Sequence, residues 1–356
     1  MSHINTIIIG AGDVVQNRLF PALVNSPHLQ SNNIRIFAKD ANPELELEFA
    51  KQRELHPDCK GLPEKVEPID NLPAGELESP TIVWIATPSD AHFEYVERFS
   101  KNATLLVVEK PMTNNLSDLE KYEQYIQTPE MNKTFFLSYY LLEKALPLAY
   151  LKSSHRFYEY YLYCKNIWHP NLTLYDIPNI FKKLGELKFF HMTIQEESDY
   201  RTLPEGGQLL ETFIHHCILA SLYVGLPNTW EDVHWNISSK DLNASDIKIY
   251  LQAKSNQGVD ISLSLVKGSK RKTQGAVLEF EHGYIFADFD KKEIELSFND
   301  GRSYIVGVKD EFKNKYTIQT NMAYTCAELG FPPATIDGFT NQIDIIKWLN
   351  EEIVKM

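Results

Sequence analysis

The chain reads as an α/β protein in two parts. An N-terminal doubly wound parallel sheet is followed by a C-terminal α+β part with a large open antiparallel sheet. Two observations predict this. Up to about residue 130, short apolar runs alternate with helix-like stretches, the pattern of parallel strands joined by crossover helices. From 186 onward, strand-like runs follow one another across short links such as Glu281-His282-Gly283 and Asn299-Asp300-Gly301, which suit hairpins. A length of 356 residues holds two domains, placed at 1–130 and 131–356.

The first part is justified element by element. Residues 4–9 form strand one, which runs through Ile7-Ile8-Ile9 into Gly10-Ala11-Gly12, and 14–24 follow as a helix. Residues 34–38 form strand two. Asn42-Pro43-Glu44 then starts a helix through about 54, with proline in its first turn. The Pro-containing stretch 55–80 reads as weakly structured. Strand 81–86 leads to Pro88, and 89–100 is a helix with Ser89 or Asp90 expected as its N-cap. Strand 104–108 ends abruptly at Glu109-Lys110-Pro111, because a charged pair and a proline cannot continue a buried strand. A helix over 116–127 and a last strand at Phe135-Phe136-Leu137 complete this part.

The second part opens with 139–183, read as mostly helical or irregular and including a Tyr-rich stretch at 157–163. Strands are expected at 187–196, 233–239, 246–254, 259–266, 276–280, 284–288 and 293–297. A helix at 207–224 interrupts them, and an amphipathic helix over 336–354 closes the chain.

Composition narrows the function. Apolar residues make up 43% and charged residues 23%, an ordinary globular balance. A net charge of −13 argues against nucleic acid or an acidic membrane as partner, since both need a basic surface. Cys59, Cys164, Cys217 and Cys326 are widely spaced, so reduced thiols are expected and no metal site is predicted. Strand one begins at residue 4, leaving no room for a signal peptide, and no run reaches the ~18–20 apolar residues of a membrane span. The expected location is cytoplasmic.

Three strand ends carry the chemistry. The Gly10-Ala11-Gly12 turn between strand and helix suits a dinucleotide pyrophosphate, although the third glycine position of that fingerprint is Val15. Asp40, 28 residues after Gly12 at the end of strand two, can accept hydrogen bonds from ribose hydroxyls and so favours NAD. Neighbouring Lys39 can instead pair with a 2′-phosphate and favour NADP. Lys110 sits at a third strand end, where open α/β sheets bind ligands. There it can polarise a substrate hydroxyl oxygen. In the second part Glu211 and His215 lie four residues apart on one predicted helix, suiting a general base with its orienting carboxylate. His216 points about 100° away and reads as structural.

These segments resemble the glucose-fructose oxidoreductase/inositol dehydrogenase (Gfo/Idh/MocA) family. The resemblance is carried by Gly10-Ala11-Gly12-Asp13-Val14-Val15, Phe37–Glu44, Ile85-Ala86-Thr87-Pro88-Ser89-Asp90-Ala91-His92, Val108–Thr113, Leu184-Gly185-Glu186-Leu187 and Gly206–His215. It implies a Rossmann domain followed by a domain whose open sheet is used for oligomerisation, as a homodimer or homotetramer. It also implies NAD or NADP held by Gly10, Gly12, Asp13, Val14, Lys39, Asp40, Thr87, Pro88, His92, Glu109 and Lys110. Lys110, Glu211 and His215 take the family's catalytic places around a sugar or cyclitol carbon that gives up hydride. Here Glu211 stands for the usual aspartate and Phe213 for a glycine. Tyr140 and Lys144 faintly resemble the substrate loop of glucose-6-phosphate dehydrogenases and are expected to contact sugar or phosphate. Family members that cleave glycosides by transient oxidation, and non-catalytic sensors of the same fold, are the rival readings.

Overall fold

The computed structural model describes residues 3–29, 32–73, 77, 78, 80–136, 148, 151, 168–170, 176–198, 206–308, 315–330 and 339–356. The chain divides into two units. One takes in Met1–Tyr139 and Asn314–Thr335, the other Tyr140–Lys313 and Ile336–Met356. The first unit therefore includes a late segment that a single boundary at 130/131 does not contain.

The first unit is built on six parallel strands in the order β3-β2-β1-β4-β5-β6. They are β1 (Ile4–Ile9), β2 (Asn32–Ala38), β3 (Val66–Pro68), β4 (Thr81–Ile85), β5 (Leu105–Val108) and β6 (Thr134–Phe136). Every residue of β4 and β5 is buried, as expected for central parallel strands covered on both faces. The strand order reverses between β1 and β4, which makes their carboxyl ends the switch point where such sheets bind ligands.

The connecting helices follow from local chemistry. A π-turn over Val15–Leu19 continues into α1 (Phe20–Val24). Helix α2 (Pro43–Leu55) is capped by Asn42, whose Oδ1 accepts from the Leu45 amide at 3.0 Å. Neither Ser89 nor Asp90 caps the next helix. Pro88 instead starts a 3₁₀ turn over Ser89–Ala91, and α3 (His92–Phe99) begins after it with no side-chain cap. Asn115 caps α4 (Leu116–Tyr125). The stretch 55–80 is not structureless, because its three-residue β3 extends the sheet by pairing Val66 with Ile36.

The second unit carries a nine-stranded sheet, order β7-β15-β14-β13-β12-β8-β11-β10-β9 among the described residues. Its strands are β7 (Trp168–Pro170), β8 (Leu187–Gln195), β9 (Glu231–Ile237), β10 (Lys248–Lys254), β11 (Asp260–Val266), β12 (Thr273–Phe280), β13 (Gly283–Asp288), β14 (Glu293–Phe298) and β15 (Ser303–Val308). Neighbours are antiparallel except β8 and β11. The chain leaves β8 through a helix and returns by β9 and β10, and such a crossover permits parallel pairing. β7 and β15 were not expected from the sequence.

Helix α5 (Asp176–Lys182) precedes β8. After β8, a π-turn over Leu209–Phe213 leads into α6 (Ile214–Val224). α6 is buried on nearly every side, because β8 lies against it and the last helix covers it. Two helices end the chain. α7 (Lys315–Leu329), also not expected, returns to the first unit and packs on β1, β4, β5 and α1. α8 (Phe339–Lys355) packs on α6. No helix among the described residues is long and apolar enough to cross a membrane.

Candidate active site

A cleft of about 960 Å³ opens at the carboxyl ends of β1, β2 and β4. Gly10, Gly12, Lys39, Asp40, Thr87 and Pro88 all line it, so one cavity gathers six of the predicted cofactor residues. Backbone hydrogen bonds fix its rim. Gly10 N–H donates to Phe37 O at 2.7 Å, Ala86 N–H to Ile9 O at 2.8 Å and Glu109 N–H to Ile85 O at 2.9 Å.

The two glycines do different work. Gly10 has φ +113°, and a Cβ there would run into the Ala86 carbonyl, so the fold itself requires glycine. At Gly12 a Cβ would meet nothing within 4 Å. The fold does not need Gly12, but bulk there would project into the cleft where a pyrophosphate must approach the backbone. Thr87 Oγ1 is buried and has no hydrogen-bond partner among the described residues, leaving an acceptor and donor on the cleft wall for a polar ligand. A dinucleotide fits these features. Gly10, Gly12 and Thr87 would hold its pyrophosphate side and Asp40 or Lys39 its adenosine ribose. Asp13 is exposed on the first turn, its Oδ1 accepting from Asn17 Nδ2 at 2.9 Å, and Val14 is half-buried beside it.

Two expected cofactor contacts lie behind the cleft rather than on it. His92 is 1% exposed. Its Nε2 is 2.8 Å from Thr87 O and its Nδ1 3.3 Å from Met112 O, so it ties the Thr-Pro loop to the Glu-Lys-Pro turn. Burial holds its pKa below the usual histidine value. Glu109 is also buried and accepts from Trp84 Nε1 at 3.3 Å. Burial pushes its carboxyl up to about 7, against the opposing pull of Trp84, Lys110 and Tyr316. Lys110 is half-buried at the end of β5, and its bond to Pro111 is cis.

In the second unit, Gly206 (φ +86°) and Gly207 (φ +49°) lead into the helix, and a Cβ on Gly207 would strike the Leu242 carbonyl. Gln208 N–H donates to that same carbonyl at 2.9 Å. Glu211 is half-buried in the π-turn, and His215 is buried on the first turn of α6. His216 is anchored to β11, with Nε2 2.8 Å from Ser264 O, and burial lowers its pKa to about 4. Phe213 stacks on His216 at 4.8 Å and leans on Trp235. Its ring thus fills the core on the helix face roughly opposite His215.

Residues 4–134 match the Gfo/Idh/MocA family model, an oxidoreductase family with an NAD-binding Rossmann fold. The match spans just over a third of the chain, all of it in the first unit. No curated protein matches the chain. Among solved structures, UDP-N-acetylglucosamine 3-dehydrogenase from Acidithiobacillus ferrooxidans matches with TM-score 0.67 at 15% identity, covering 99% of this chain and 98% of the other. A 3-ketoreductase from Actinomadura kijaniata, solved with NADP and TDP-benzene, matches with TM-score 0.61 at 14% identity, covering 98% and 96%. A Gfo/Idh/MocA oxidoreductase from Vibrio cholerae matches with TM-score 0.61 at 12% identity, covering 99% and 98%. At these identities the likeness is one of fold.

Within the first unit, two residues that matter to the cleft escaped the sequence reading. Asn42 Nδ2 donates to Ala11 O at 2.5 Å, so the cap of α2 also pins the glycine turn. A cap residue two positions after Asp40 was the available signal. Trp84 holds Glu109, and nothing in an apolar strand sequence points to that. Tyr140 and Lys144 lie outside the described residues. Among the described residues no cluster of His, Cys, Asp or Glu is arranged to hold a metal.

Proposed function

We propose that the chain is an NAD(P)-dependent oxidoreductase acting on a hydroxyl-bearing carbon of a sugar, cyclitol or sugar derivative. The observation that carries this is the single cleft at the β1/β4 switch point, lined by Gly10, Gly12, Asp40 and Thr87, in a unit matching an NAD-binding oxidoreductase family. Two structures of the same fold, one named a UDP-N-acetylglucosamine dehydrogenase and one solved with TDP-benzene, support nucleotide-linked sugars as the first substrates to try.

The nicotinamide supplies the hydride acceptor when bound. The protein supplies positioning and electrostatics. Lys110 polarises the substrate oxygen and stabilises the charge developing there. His215 accepts the hydroxyl proton, with Glu211 orienting its ring. Oligomerisation through the open sheet, as a homodimer or homotetramer, belongs to this reading.

The test is cofactor titration by calorimetry, followed by a panel of sugars, sugar phosphates and nucleotide sugars read at the absorbance of reduced nicotinamide. Lys110→Met and His215→Ala should stay folded, bind cofactor and each lose roughly 10²–10⁴-fold in single-turnover hydride transfer. Near wild-type rates in both would discard the assignment and favour the sensor. Substrate conversion without net cofactor reduction would favour transient oxidation.

A further inference from the structure

The Glu-Lys-Pro turn has a buried support. Glu109 is 5% exposed beneath it, while Trp84 and Tyr316 are each 1% exposed. Trp84 reaches it from β4, with Nε1 donating to Oε1 at 3.3 Å. The Lys110 backbone N–H and the Tyr316 side chain of α7 also act on the carboxyl. α3 presents His92 to the same turn, but the His92 ring nitrogens face the Thr87 and Met112 carbonyls. The donor bonded to Glu109 is thus the Trp84 indole of β4, with the Lys110 backbone and the Tyr316 side chain favouring its charged form. An indole N–H can only donate, so it suits an ionised carboxylate oxygen.

The geometry points to Glu109 as a positioning residue for Lys110. Its carboxylate braces the turn from which Lys110 projects against the Trp84 indole of β4. Glu109 does not line the cofactor cleft and takes no part in proton transfer to substrate. This rests on the reading that Lys110 acts on substrate. Burial pushes the Glu109 carboxyl up to about 7, and the hydrogen bond from Trp84 weakens once that oxygen takes up a proton.

The indole of Trp84 reports on the brace without cofactor or substrate. Trp fluorescence of the whole protein should show a one-proton transition near neutral pH. That transition should vanish in Glu109→Gln and in Trp84→Phe. The pH profile of Lys110 acylation by an amine-reactive probe, followed by peptide mass spectrometry, should carry the same inflection in wild type and in Trp84→Phe. It should lose that inflection in Glu109→Gln. A fluorescence transition that persists in Glu109→Gln overturns the proposal, as does a Lys110 labelling profile identical in wild type and Glu109→Gln. Should Glu109→Gln not fold, Lys110 labelling decides: an inflection near neutral pH kept in both wild type and Trp84→Phe supports the proposal, and a profile without it overturns the proposal. Failure of the catalytic reading would appear separately, as unimpaired hydride transfer in Lys110→Met with the fluorescence transition intact.

Discussion

At the residue scale, the two glycines of the first turn separate folding from binding. Gly10→Ala forces a side chain into positive φ and onto the Ala86 carbonyl, and should cost roughly 1–3 kcal/mol of stability by denaturant titration. Gly12→Val has open space for its Cβ and should leave stability nearly unchanged, while calorimetry shows NAD binding weakened at least about tenfold. Equal loss of stability in both variants would contradict this division. Glu109 makes the converse case, a group whose burial costs stability. Its folded pKa, pushed up to about 7, lies above the ordinary carboxylate value of 4.5. Between those values the folded state holds a proton that the unfolded state has lost, so stability falls as pH rises through the window and the full cost applies above 7. Glu109→Gln should therefore gain up to roughly 3 kcal/mol relative to wild type at pH 8.5 and little at pH 4.5. A variant equally stabilised at both values would show that ionisation of Glu109 is not the cause. Retaining a carboxylate that destabilises the fold is characteristic of functional positions.

At the element scale, what the sequence revealed depended on whether burial was written in apolar residues. β1, β4 and β5 end in apolar runs, Ile7–Ile9, Ile82–Ile85 and Leu105–Val108, stopped by Gly, Thr-Pro and Glu-Lys-Pro, and their positions and ligand-facing ends were legible. β3 is three residues long, too short for any periodicity to register. α7 was invisible for another reason. The face it buries carries Tyr316, Gln319 and Thr320 beside Ala323 and Tyr324, so polar residues stand where an amphipathic pattern would place apolar ones. α6 was found, but not the π-turn before it, which carries Glu211 ahead of the buried pair His215 and His216. His216 makes this element sensitive to acid. Burial holds it at about 4, below its unfolded value near 6.5, so the unfolded state takes up a proton first as pH falls and stability drops between those values. The His216 contribution to that loss should reach roughly 3 kcal/mol by pH 4. Denaturant titrations of wild type and His216→Gln across this range measure it. An unchanged slope in the variant would assign the acid sensitivity elsewhere, His92 and the half-buried His191 being shifted the same way by burial.

At the scale of the whole molecule, the open sheet of the second unit poses a solvation problem. Along β11, Ile261, Leu263 and Leu265 are buried on one face, while Ser262 and Ser264 lie on the other, Ser264 itself buried. That other face is not uniformly polar. Phe286 is 46% exposed, Ile305 59% and Tyr284 45%. The register places Phe286 beside Val277 on one side and beside Glu295 on the other, with Ile305 next in the row. Nine strands at ~4.8 Å spacing make a surface roughly 40 Å wide, ample for the ~800 Å² per partner of a standard interface. A second copy of the chain is the proposed occupant, and its seating must overcome repulsion between two bodies of charge −13. Added salt screens that repulsion and leaves apolar burial intact, so association should tighten between 20 and 300 mM salt, conditions chosen to span Debye lengths of about 20 to 6 Å. Phe286→Glu with Ile305→Glu adds charge of the chain's own sign to this row, on exposed positions of β13 and β15 that the fold does not need. The double variant should keep its secondary structure and sediment as a smaller species at micromolar concentration. A wild type that is strictly monomeric at every salt concentration would leave the open face as ordinary solvated surface and end the proposal of assembly.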